Sequence, residues 1–106
     1  MKPDPKLRRI APDEMPDDIA SAWRHSMDLR GDATFFEVFA NHPELYRWYV
    51  NQFYGDVFRG GKVAQRYKEL LRLRLSTLHG CRFCNQGNRL DALKAGLTEA
   101  QIVAFE

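Results

Sequence analysis

Ile19, Trp23 and Met27 recur every four residues behind Pro16 and the acidic pair Asp17-Asp18, which predicts a helix with those three on one side. Proline suits the first helical position, and two aspartates favour the positive end of the helix dipole. Gly31 is expected to close that helix. Asp32 is placed to cap a short one carrying Phe35, Phe36 and Phe39, and after Asn41-His42 another starts at Pro43 with Leu45, Tyr49 and Phe53 on one face. Upstream, Pro3, Pro5 and Pro12 withhold backbone donors, so residues 1–15 read as a lead-in arm and 16–106 as one helical domain.

Gly60-Gly61 predicts a turn, and the next helix is expected from about Lys62 to Leu78, with Val63, Tyr67, Leu70, Leu71, Leu75 and Leu78 inward and Lys62, Arg66 and Arg74 outward. Gly80 breaks that pattern. A further helix is expected from about Cys81, with Gly96-Leu97 as its C-terminal cap. Thr98-Glu99-Ala100-Gln101 then reads as a capping box opening a last helix with Ile102, Val103 and Phe105 as its apolar face. Eight residues ending on a glutamate make a poor helix terminus, which predicts that the chain is a fragment or is completed by another chain. The pattern as a whole is all-α.

Composition narrows the class. The chain has 106 residues, 44% of them apolar and 28% charged, which suits a modest globular domain. The polar start and the lack of a long apolar run point to a soluble, cytoplasmic protein with no membrane partner. Nine of the thirteen aromatic residues lie between Phe35 and Phe58, enough for a core, an oligomer interface or a pocket wall. The net charge of +2 conceals a segregation: residues 1–58 carry −3, residues 59–94 carry +7, and residues 95–106 carry −2. Both cysteines fall in the cationic block.

Cys81-Arg82-Phe83-Cys84 is a C-x-x-C, whose i, i+3 spacing sets both sulfurs on one face of a helix. Orphan N–H groups at a helix start, with Arg82 and Arg89 nearby, stabilise a thiolate, the nucleophile toward peroxides and disulfides. If the helices flanking Gly80 form an antiparallel hairpin, Glu69 faces Asn88, which is i+4 from Cys84 and i+7 from Cys81. A glutamate on an inward stripe must be paired or protonated, and a raised pKa would suit a general base; a surface carboxylate paired with Arg66 or Arg72 is the plainer alternative.

Rival chemistries fit less well. A thioredoxin-like strand at Leu71-Arg72-Leu73-Arg74-Leu75 would put arginine at alternate places of a buried strand. A zinc site on His79, Cys81 and Cys84 lacks a fourth ligand, and haem attachment needs a histidine where Asn85 stands. No metal and no cofactor is expected. The cations of the basic block alternate with leucines and show no reading motif, which argues against a nucleic-acid partner.

Glu69, eleven residues, Cys81-Arg82-Phe83-Cys84, three residues, Asn88, Ala92 and then Ala95-Gly96-Leu97-Thr98-Glu99-Ala100-Gln101-Ile102 together resemble the carboxymuconolactone decarboxylase and alkylhydroperoxidase D (AhpD-like) superfamily. The resemblance implies an all-α AhpD-like domain with a C-x-x-C helical hairpin and assembly into trimers or hexamers. It also implies a thiol-dependent peroxidase that reduces a hydroperoxide or small organic substrate and is recharged by a thiol reductant protein. In such enzymes the second cysteine attacks the peroxide and the first resolves it, roles that fall to Cys84 and Cys81. Glutamate and histidine assist thiol deprotonation there. Here Glu69 is present but the histidine is Asn88, which cannot accept and return a proton near neutral pH. His79 is a candidate substitute proton carrier, with a solvent-facing role at the turn as the alternative. The same scaffold admits a decarboxylase acting on a lactone acid, or a non-catalytic assembly subunit.

Overall fold

The computed structural model describes residues 4–105, which are helical with connecting turns and contain no strand. The chain divides into two compact units, the first ending at Phe53 and the second beginning at Tyr54.

In the first unit a 3-10 turn at Pro12–Glu14 precedes α1 (Asp17–Arg30), α2 (Thr34–Phe39) and α3 (Pro43–Arg47); a π-helix at Trp48–Phe58 follows directly, its residues from Tyr54 on belonging to the second unit. Its core is Met15, Ile19, Ala20, Ala40 and Tyr46, with Ile10, Trp23, Phe36 and Phe39 packed against them. The chain before α1 is tied down, since the Ile10 N–H donates to the Glu37 carbonyl at 3.0 Å. Gly31 ends α1 with a φ of 65°, which glycine adopts without a Cβ clash. Met27, expected inward, is exposed, and Ser26 is buried in its place. A helix turns every 3.6 residues, so a four-residue repeat drifts off the buried face by its third member. The face expected from Pro43 also differs: Leu45 and Phe53 are exposed, and no residue of the π-helix is buried. Its i→i+5 bonds widen each turn and change which side chains align.

The second unit is built on an antiparallel pair, α4 (Gln65–Leu78) and α5 (Arg82–Lys94), closed by α6 (Glu99–Phe105). Leu73, Ala92, Leu97 and Ile102 form its core, with Leu70 against them. Both predicted breaks are Schellman motifs. At the first, Cys81 N–H donates to Ser76 O (3.0 Å) and Gly80 N–H to Thr77 O (3.1 Å); at the second, Leu97 N–H donates to Ala92 O and Gly96 N–H to Leu93 O, both at 3.1 Å. The capping box is reciprocal, with Thr98 N–H donating to Gln101 Oε1 at 2.9 Å and Gln101 N–H to Thr98 Oγ1 at 3.2 Å.

The inward stripe of α4 is not the predicted one. Glu69, Leu73 and Ser76 are its buried residues, whereas Tyr67, Leu71, Leu75 and Leu78 are exposed, as is Val63 before the helix. α4 carries apolar residues on both sides, so periodicity cannot choose between them. The choice falls to α5, whose Asn88 and Ala92 present a small, partly polar face that accepts Ser76 and Leu73 at close range.

Candidate active site

The turn at Gly80 places Cys81 as the N-cap of α5. The Cys84 N–H donates to Cys81 Sγ at 3.2 Å, so the sulfur fills the position that a serine or aspartate oxygen takes at a helix start. Cys81 and Cys84 are joined in a disulfide, and both are half-buried. His79, the C-cap residue of α4, is exposed.

Glu69 is 4% exposed and paired. Its Oε1 accepts from Gln65 Nε2 at 3.0 Å, and its Oε2 accepts from Arg72 Nη2 at 2.6 Å and Nε at 3.1 Å. The Arg72 guanidinium also donates to Asp91 Oδ2 on α5 at 2.8 Å and lies 4.9 Å from the centre of the Phe58 ring. Burial alone would lower the Arg72 pKa, but its hydrogen bonds to Asp91 and Tyr54 and the charge of Glu69 outweigh burial and raise it. The buried carboxylate thus has a permanent counterion. Arg59, Gln65, Glu69, Asp91, Lys94 and Ala95 line a cleft of about 320 Å³ over this network. Neither cysteine belongs to that lining.

Asn88 is buried, but its partners are not those expected. Its Nδ2 donates to Ser76 Oγ at 3.0 Å and to the Arg72 carbonyl at 3.5 Å, and not to Glu69. The hairpin register explains the shift of about one helical turn: positions equidistant from Gly80 pair Arg72 with Asn88 and Glu69 with Asp91. By helical rise, Glu69 stands roughly 16 Å along α4 from the turn, Asn88 roughly 12 Å along α5 and Cys84 roughly 6 Å. Asn88 therefore lies between carboxylate and sulfur in height. Histidine there would offer a proton-carrying ring between them; an amide does not.

A family model described as the carboxymuconolactone decarboxylase family matches residues 43–105, more than half of the chain. The chain belongs to that family. No curated protein and no solved structure matches it. The family match spans α3, the π-helix and the whole α4–α5–α6 unit, and so takes in the cysteine pair, Glu69 and Asn88. Among the described residues of this family member no helix is long and apolar enough to cross a membrane. No group of three or more His, Cys, Asp or Glu among them is arranged to hold a metal ion. The network partners Gln65, Ser76 and Asp91 went unnoticed in the sequence, although Gln65 and Arg72 stand at i−4 and i+3 from Glu69, the spacings at which helical side chains meet.

Proposed function

We propose that this carboxymuconolactone decarboxylase family member is a slow thiol peroxidase of the alkylhydroperoxidase type, cycling Cys81 and Cys84 between dithiol and disulfide. The observation that carries the reading is the disulfide at the head of α5 with a helix N–H donating to Cys81 Sγ. In the dithiol, Cys84 thiolate attacks the distal oxygen of ROOH, the O–O bond breaks, and the alkoxide leaves and takes a proton as ROH. Cys84 is then a sulfenic acid. Cys81 thiolate, favoured by the N-cap position, attacks that sulfur; hydroxide leaves, is protonated to water, and the disulfide closes. A dithiol reductant returns the two electrons.

Proton removal rests on the helix terminus and the basic surroundings. Glu69 is held by Gln65 and Arg72 and acts at a distance as a positioning residue, and Asn88 clamps α4 to α5 through Ser76. A general acid–base relay contributes about 10²–10⁴-fold, so its interruption at Asn88 makes the enzyme slow. His79 is exposed at the turn and lies outside the buried network. Assembly into a homo-oligomer and a cytoplasmic setting belong to the same proposal.

Stopped-flow consumption of an organic hydroperoxide with dithiothreitol as reductant tests it. Cys84→Ser is expected to abolish turnover, and Cys81→Ser, assayed without reductant, to consume one equivalent of hydroperoxide and stop at the Cys84 sulfenic acid with no intramolecular disulfide formed. Unchanged rates in both variants would discard the peroxidase reading in favour of the decarboxylase or the assembly subunit.

A further inference from the structure

Asn85 is half-buried on α5, yet its side-chain Oδ1 is closed to solvent and has no hydrogen-bond partner among the described residues. A buried acceptor left unpaired raises the free energy of the state that leaves it so. The side-chain donors at this end of α4 and on the same side of α5 are engaged elsewhere. Ser76 Oγ and Thr77 Oγ1 both donate to the Leu73 carbonyl, at 3.0 and 2.9 Å, and Asn88 Nδ2 donates to Ser76 Oγ at 3.0 Å.

Asn85, Asn88 and Ala92 stand at i, i+3 and i+7, on the side of α5 that packs against α4, and Cys81 is the i−4 member of the same stripe. The Asn85 N–H donates to the Cys81 carbonyl at 2.8 Å, so the first turn of α5 closes over that cysteine. Cys84 is the residue before Asn85. The orphan acceptor thus belongs to a residue adjoining both cysteines, which as a disulfide have no S–H to donate. From this juxtaposition we infer that Asn85 is a positioning residue for the redox pair, its Oδ1 accepting the Cys81 S–H once the disulfide is reduced.

The inference rests on the dithiol–disulfide cycle proposed above and not on the peroxide step. When a dithiol reduces the pair, its first thiolate attacks Cys84 Sγ and the Cys81–Cys84 bond breaks. Its second thiol then displaces the first sulfur, so the reductant leaves as a disulfide and Cys81 and Cys84 are thiols, two electrons and two protons richer. The Cys81 sulfur keeps the Cys84 N–H that it already accepts, and its new S–H donates to Asn85. The unpaired acceptor therefore weighs on the disulfide form alone, which draws the equilibrium toward the dithiol. It also sorts the two sulfurs, because an acceptor on the S–H favours the neutral thiol. Cys81 holds its proton while Cys84 gives up its own, leaving Cys84 as the attacking thiolate.

The test is redox titration of the full chain against dithiothreitol. Asn85→Leu removes the acceptor at similar volume and is expected to lower the dithiol/disulfide equilibrium constant about tenfold, about 30 mV toward more negative potential for a two-electron couple. Asn85→Asp keeps an oxygen in place and is expected not to fall below the wild-type constant. In the reduced Cys84→Ser chain, which leaves Cys81 as its one thiol, adding Asn85→Leu is expected to move the S–H infrared stretch to higher wavenumber and to lower the Cys81 pKa read from the pH dependence of thiol modification. An Asn85→Leu constant within twofold of wild type overturns the inference, and so does an S–H band that does not move. A Cys81 pKa that rises on adding Asn85→Leu overturns it as well, since that result sets the amide Nδ2 rather than Oδ1 against the sulfur. A chain that meets every expectation and still consumes no hydroperoxide keeps the inference and strikes the peroxidase reading alone.

Discussion

Arg72 is the residue on which the buried polar network turns. It bonds Glu69 on its own helix and Asp91 on the neighbouring one and stacks on Phe58. Removing it strands Glu69 without its counterion, and a buried charge robbed of its partner costs about 3–5 kcal/mol. Arg72→Met is therefore expected to destabilise the fold by at least about 2 kcal/mol, and Glu69→Gln by less, because Arg72 keeps Asp91. Urea unfolding followed by circular dichroism reads both; an equal cost for the two would mean that the counterion argument fails. The sequence foreshadowed part of this, since Glu69 amid leucines demanded a partner and Arg72 stood three residues on. Asp91 was out of sight because its contact depends on hairpin register, which depends in turn on the conformation of the residues joining α4 and α5.

At the scale of elements, local signals translated well wherever they rested on one residue's stereochemistry. Gly80 and Gly96 both adopt positive φ, 66° and 92°, and each closes a helix by two backbone bonds. An added Cβ at either would meet no neighbouring atom within 4 Å, so its cost is backbone strain alone, about 1 kcal/mol or a little more. Gly80→Ala and Gly96→Ala should each lower stability by that amount. The two differ in function: Gly80→Ala also shifts the head of α5 and should change the reduction rate of the disulfide, which Gly96→Ala leaves alone. Identical rates would separate the cap from the chemistry. The amphipathic face of α4 and the turn geometry of the π-helix went the other way. The face of α4 is chosen by packing against α5, because its own periodicity admits more than one answer, and nothing in the structure explains the π-helical turns.

For the molecule as a whole, the first unit carries the acid sensitivity. Asp18 on α1 lies below its ordinary range because Arg47 on α3 donates to it at 3.0 Å. Burial would raise Glu37, but the hydrogen bonds from Arg9 and from Trp23 Nε1 outweigh burial and hold it low. A carboxyl with a depressed folded pKa stabilises the fold above its unfolded value, near about 4, and that contribution is lost as pH falls through the folded value. The urea midpoint is accordingly expected to drop steeply below about pH 4, with Glu37→Gln flattening that limb. A midpoint independent of pH in this range would refute it.

The amino-acid order by itself determined an all-helical chain, the breaks at Gly31, Gly80 and Gly96, the capping box, the C-x-x-C at a helix start and membership of the carboxymuconolactone decarboxylase family. These follow from dihedral preference, spacing and local hydrogen bonding, which act over a few residues. Tertiary structure alone decided that Asn88 meets Ser76 rather than Glu69, that Arg72 bridges two helices, and that the leucine side of α4 faces outward beside the disulfide. Such choices weigh the burial of one face against another and the pairing of charges from distant residues, and a one-residue change in register reverses them.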